Sequence, residues 1–151
     1  MHQEKLIKFT RVLLIFMFYS GIVCIISLPL SLRWLERYFL FLRIDELYFQ
    51  MLVVLTIAGI FGVLILHQLM KMMTTVVENN SFVYSNVTSL KKMGVFSFVI
   101  SATFLVKLFF RSTPATMILV LTFFVAGLFC YVLAFVFSEA IQYKEENELT
   151  I

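Results

Sequence analysis

Residues 112–138 read STPATMILVLTFFVAGLFCYVLAFVFS, a run without a single Asp, Glu, Lys or Arg. A bilayer core about 30 Å thick takes roughly 20 apolar residues in helical form to cross. Working outward, the same reading applies three more times. Residues 12–32 and 47–70 are also free of Asp, Glu, Lys and Arg, and residues 93–110 hold only Lys107. With 62% hydrophobic and 14% charged residues, this 151-residue chain has little left for a soluble domain.

The first apolar block follows Lys5, Lys8 and Arg11, as a secretory leader would. It is longer than a leader core, and Ser27-Leu28-Pro29-Leu30 offers no small-residue cleavage site. It therefore reads as a retained first span, with Pro29 near its end, where a missing N–H is best tolerated.

Orientation follows from Lys and Arg in the connections. Lys5, Lys8, Arg11, Lys71, Lys91, Lys92 and Lys144 fall on one side; Arg33, Arg37, Arg43 and Arg111 fall on the other, with Lys107 if it is counted there. The bias puts both termini in the cytoplasm of a multi-pass membrane protein. Lys107 stands one turn before Arg111, so its stem can carry the ammonium to the interface. Between the first two spans, SLRWLERYFLFLRIDE (31–46) alternates Trp34, Tyr38, Phe39 and Phe41 with Arg33, Glu36, Arg37 and Arg43. Aromatic rings and Arg stems suit the headgroup layer, so a short interfacial helix is expected there, either as an anchor or as a ligand-binding cap.

The connection between spans three and four, about Arg111 to Pro114, implies a tight antiparallel hairpin, with Pro114 in the first turn of the fourth helix. The connection from Lys71 to Lys92 is about twenty residues long. Within it Glu78-Asn79-Asn80-Ser81 is turn chemistry. Phe82, Val83, Val87, Leu90 and Met93 then recur at helical spacing, predicting a loop helix on the inner surface that runs into span three at Gly94. Small residues recur along each span: Ala126, Cys130, Ala134 and Ser138; Ser97 and Ser101; Ala58 and Gly62; Ser20 and Cys24. Helices in lipid approach closely at such ridges, and a spare ridge leaves homo-oligomerisation open.

The expected fold is thus all-α and polytopic. It is a single four-transmembrane-helix bundle over residues 1–151, with an outer interfacial segment and a cytoplasmic loop helix. The spans fall at about 11–32, 47–70, 93–111 and 115–138, and a cytoplasmic tail occupies 139–151.

Chemistry-bearing residues are few. Cys24 and Cys130 would differ in depth by roughly 9 Å at 1.5 Å per residue, whereas a disulfide needs Cα atoms within about 7 Å. Small packing residues are the expectation. His67 and Gln68 have no second metal ligand nearby in sequence. The glycosylation patterns at Asn79-Asn80-Ser81 and Asn86-Val87-Thr88 fall in the loop assigned to the cytoplasm. No carboxylate lies mid-span, as a proton-coupled small exporter would need, and no catalytic triad or phosphate loop is present. The sequence predicts no enzyme, no cofactor, no metal and no direct nucleic-acid contact; the bilayer is the first partner.

The tail FSEAIQYKEENELTI continues span four with good helix formers, setting Glu139, Glu145, Glu146 and Glu148 against Lys144. It ends on Leu149-Thr150-Ile151, an apolar tip suited to docking. Here the residues carry a resemblance. Phe82, Ser85-Asn86-Val87 and Leu90-Lys91-Lys92-Met93-Gly94 resemble a loop signature of Pro-Phe, then Glu-Asn-Val, then Leu-Arg-Arg-Ile-Gly. The ending, Val136-Phe137 through Glu145-Glu146-Asn147-Glu148-Leu149-Thr150-Ile151, is similar to the same family's Phe…Glu-Glu-x-Asp-Leu-Thr-Val close. That family is a group of bacterial membrane proteins, domain of unknown function 2975, whose four-span layout covers nearly the whole chain. Ser81, Val83, Ser85 and Ala140 replace the family's Pro, Thr, Glu and Gly, and Val83 brings no capping oxygen to the loop helix.

Members of the family are typically encoded beside a small helix-turn-helix regulator. The resemblance implies a membrane partner or sensor for such a regulator. Phe82, Asn86, Val87, Leu90, Glu145, Glu146, Glu148, Leu149, Thr150 and Ile151 would form its docking surface. The competing readings are a bacteriocin or toxin immunity protein, a small subunit of a membrane transport complex, a holin-like pore and, with no chemistry to support it, an intramembrane enzyme.

Overall fold

The structure is a computed structural model and describes residues 2–38 and 48–150. It contains four helices: α1 (His2–Tyr38), α2 (Tyr48–Val77), α3 (Tyr84–Phe110) and α4 (Pro114–Leu149). All four are long and apolar enough to cross a bilayer. At 1.5 Å per residue even α3, with 27 residues, is about 40 Å long, so each helix outruns the hydrocarbon layer. The protein is a multi-pass, four-helix membrane protein.

The charge-free blocks located the helices but underestimated their length. Apolarity ends where lipid would end, yet good helix formers carry the backbone hydrogen bonding onward. α1 passes Pro29 and continues to Tyr38, so Pro29 lies within the helix rather than near its end. The first part of the expected outer segment is therefore the last turns of α1. Its remainder, including Phe39, Phe41 and Arg43, lies outside the described residues.

The helices pack in sequence order. α1 packs on α2, α2 on α3, and α3 on α4; among the described residues α1 touches neither α3 nor α4. Two apolar clusters hold α3 in place. Val54, Ile100 and Phe104 meet with Ala58, Phe61, Ile65, Val120 and Phe123 toward the α3–α4 hairpin. Val87, Leu90, Ala134 and Ile141 meet with Met72, Leu133 and Phe137 at the opposite end.

Close approach between α3 and α4 depends on two glycines. A Cβ on Gly94 would stand 2.8 Å from the Tyr131 ring and 3.3 Å from the Gly127 carbonyl oxygen. One on Gly127 would stand 2.9 Å from the Phe98 ring. The Ser101 hydroxyl crosses the same interface to donate to the Val120 carbonyl at 2.9 Å, and Phe98 stacks on Tyr131 with centroids 6.0 Å apart. At the hairpin, Thr113 caps α4: its Oγ1 accepts from the Thr116 N–H at 3.4 Å and pairs with the Thr116 hydroxyl at 2.7 Å. Pro114 occupies the first turn, as its sequence position predicts.

The small-residue ridges are half right. Ser97, Ser101 and Ala134 are buried, but Ser20 and Cys24 on α1 are exposed. α1 instead meets α2 at Gly21, where an added Cβ would come within 3.0 Å of Val63, and at Ile25, which covers Gly59. Both cysteines are free, and the helices that carry them do not touch.

Candidate functional site at the α2–α3 loop and the α4 tail

The loop predicted at about twenty residues shrinks to Glu78–Val83, because α2 runs to Val77 and α3 begins at Tyr84. Its turn chemistry is as expected. Asn79 takes a left-handed conformation, φ 54°, one that Asn tolerates better than most side chains. The Asn80 N–H reaches back to the Thr75 carbonyl at 3.0 Å and the Asn79 N–H to that of Val76 at 3.1 Å, closing α2 with a Schellman cap.

The start of α3 has no such help. Val83 stands at the N-cap with extended backbone and no side-chain hydrogen bond, as the loss of the capping Thr implies. Asn86, one turn in, stabilises the junction instead. Its Nδ2 donates to Thr75 Oγ1 and to the Ser81 carbonyl, both at 2.7 Å, and Thr75 passes its own proton to the Met72 carbonyl at 2.7 Å. One amide thus ties the last turns of α2, the loop and the first turn of α3 together. Asn86 is 1% exposed, and its Oδ1 and the neighbouring Ser89 hydroxyl are buried without a hydrogen-bond partner.

The expected loop helix is present as the first turns of α3. One face of it packs inward, with Asn86, Val87, Ser89, Leu90 and Met93 all buried, and the other carries the exposed Tyr84, Ser85, Thr88, Lys91 and Lys92. Of the residues singled out for docking, then, Asn86, Val87 and Leu90 face inward. Phe82 stays half exposed against the Phe137 ring, with centroids 5.4 Å apart. On α4, Ile141 is the last anchored residue, 3% exposed. From Gln142 to Thr150 every residue is exposed, including Glu145, Glu146, Glu148, Leu149 and Thr150; Ile151 lies outside the described residues. This end of α4 projects about 12 Å past its last packed turn.

A shallow groove of about 530 Å³ runs between the loop and this projection, lined by Phe82, Ala140, Tyr143, Lys144, Asn147 and Glu148. The loop and the tail therefore do come together, but through Phe82 and the Tyr143–Asn147 side of α4. Sequence reasoning missed Tyr143 and Asn147. Their signal was the i, i+4 spacing on a helix that also carries Ala140.

A family model described as a protein of unknown function, DUF2975, matches residues 4–151. The chain belongs to the DUF2975 family. No curated protein and no solved structure matches it. In this DUF2975 protein the two stretches that resemble the family signature, 82–94 and the one that begins at Val136, meet at the loop end through Phe82, Phe137 and the groove beside Tyr143. The first signature is largely a packing motif, whose Asn86, Leu90, Met93 and Gly94 all sit at helix contacts. The second divides at Ile141 into a packed part and an exposed acidic part. Among the described residues no three His, Cys, Asp or Glu side chains gather as a metal-ligand set.

Proposed function

We propose that the chain is a non-enzymatic membrane partner that restrains a small helix-turn-helix regulator at the cytoplasmic face. The observation that carries this reading is the α4 projection, a helix anchored through Ile141 that presents Glu145, Glu146 and Glu148 as exposed side chains, Glu148 at the edge of the groove beside Phe82. A DNA-binding regulator carries a basic face that neutralises phosphates. A rigid acidic helix occupies such a face in competition with DNA, with the Phe82–Tyr143 groove taking an apolar side chain. In this reading the buried Asn86, Val87 and Leu90 act at one remove, by fixing Phe82 beside α4.

The test is recovery of the neighbouring regulator with the membrane protein. A chain ending at residue 142 keeps Ile141 and the packed end, so loss of the regulator from that truncation but not from the full chain supports the proposal. Glu145→Gln, Glu146→Gln and Glu148→Gln together should also lower recovery, and more so as salt is added. Equal recovery from the full and truncated chains refutes it.

A further inference from the structure

At the same end of the molecule a second feature lies on α1 and α2. Arg11 and Lys71 open onto one cleft of about 270 Å³, whose walls include Leu14, Ile15 and Met70, with His67 at its side. Among the described residues no Asp or Glu lines it. Two fixed positive charges therefore share a concave site without an acid to balance them.

Their depth is given by the sequence. Arg11 immediately precedes the charge-free run 12–32, and Lys71 immediately follows the charge-free run 47–70. Both cations stand where the charge-free runs stop, the level at which lipid headgroups are expected, while Leu14 and Ile15 line the cleft on the membrane side. The antiparallel packing also brings the Phe18 ring beside His67, with centroids 6.1 Å apart. Because α1 packs on α2 alone among the described residues, the cleft opens sideways to the bilayer.

An occupant must carry negative charge at one end and hydrocarbon at the other. We propose that this cleft binds an anionic phospholipid. Its phosphate sits between the Arg11 guanidinium and the Lys71 ammonium, and one acyl chain lies along Leu14 and Ile15. A planar guanidinium offers paired donors to phosphate oxygens, and the ammonium adds a point charge. Basic pockets between transmembrane helices bind acidic headgroups by the same physics.

The experiment is native mass spectrometry of the full-length protein released from detergent in the presence of dioleoylphosphatidylglycerol or dioleoylphosphatidylcholine. The anionic lipid should be retained in preference to the zwitterionic one of equal chain length. R11Q/K71Q should weaken that retention about thirtyfold, the product of two basic side chains at their usual strength near an acidic surface. K91Q/K92Q removes the same charge from an exposed face at the same end and should leave retention nearly unchanged. R11K/K71R should keep it, which separates lost charge from lost folding. Equal retention of the two lipids, an equal loss in both Gln pairs, or displacement of the lipid by millimolar inorganic phosphate would overturn the proposal.

Discussion

α1 and α3 invert the arrangement of a water-soluble protein. In its most apolar stretch α1 buries none of its residues, whereas α3 buries a third of them. α1 turns Phe9, Phe16, Tyr19, Val23, Ile26 and Leu30 outward. α3 turns Asn86, Ser89, Ser97 and Ser101 inward, each 5% exposed or less. Lipid tails solvate Leu and Phe as well as a protein core does, so apolar side chains gain little by packing together there. Small and polar side chains gain close backbone approach and hydrogen bonds instead. In this chain hydrophobicity tells which segments cross; the small and polar exceptions tell which faces meet.

The largest expected effect tests the polar end of that contrast. Asn86→Asp removes both amide donors from Thr75 Oγ1 and the Ser81 carbonyl and puts a carboxylate where its oxygens meet no water. The loss should be about 3 kcal/mol or more in thermal or denaturant unfolding of the detergent-solubilised protein. Asn86→Ala should cost less, since it also removes the unpartnered Oδ1. If Asn86→Asp melts as the natural protein does, the amide is not what closes the α2–α3 junction, and the contrast between the helices loses its polar half.

Next comes close approach. Gly94→Val drives methyl groups into Tyr131 and toward the Gly127 carbonyl and should destabilise the α3–α4 pair by about 1–3 kcal/mol. The same change at Gly62 is the control. Nothing stands within 4 Å of a Cβ built there, so stability should hold. Equal losses at both sites would mean that α3 is no more closely packed than the lipid-exposed faces.

The sequence made the crossing segments plain because the absence of charge is a property of each residue by itself. Which face of a helix packs is a property of pairs, and there reading was uneven. On α3 the positions Asn86, Leu90, Met93, Ser97, Ser101 and Phe104 repeat at spacings of three and four, a stripe that identifies the buried face from sequence alone. Asn86 belongs to that stripe, which puts one residue of the expected docking surface on the packed face of α3. On α1 the choice of Ser20 and Cys24 over the adjacent Gly21 could not be made from spacing, since neighbouring residues differ by about 100° around the helix and either fits the period. The helix ends were long for a different reason. Residues such as Ser31–Tyr38 and Gln142–Leu149 favour helix without being apolar, so hydropathy stopped reading before the backbone stopped coiling. The cleft between Arg11 and Lys71 joins residues far apart in sequence and appears only once α1 and α2 are set in register.

The smallest effect is the most discriminating, because it holds chemistry constant and changes only location. Ser101 and Ser27 are both helical serines with a satisfied hydroxyl. Ser101 donates across to the Val120 carbonyl of α4 at 2.9 Å, while Ser27 donates within its own helix to the Cys24 carbonyl at 3.0 Å and is exposed. Ser101→Ala should cost about 0.6 kcal/mol, the usual worth of an interhelical hydrogen bond in a membrane protein. Ser27→Ala should cost nothing measurable, since the carbonyl it frees still accepts the hydrogen bond of α1 itself and alanine is the better helix former. Matched unfolding curves in one detergent resolve a difference of that size. A Ser27→Ala loss as large as that of Ser101→Ala would place a contact on the outward face of α1, making that helix an inner helix of a larger assembly and reversing the contrast with α3.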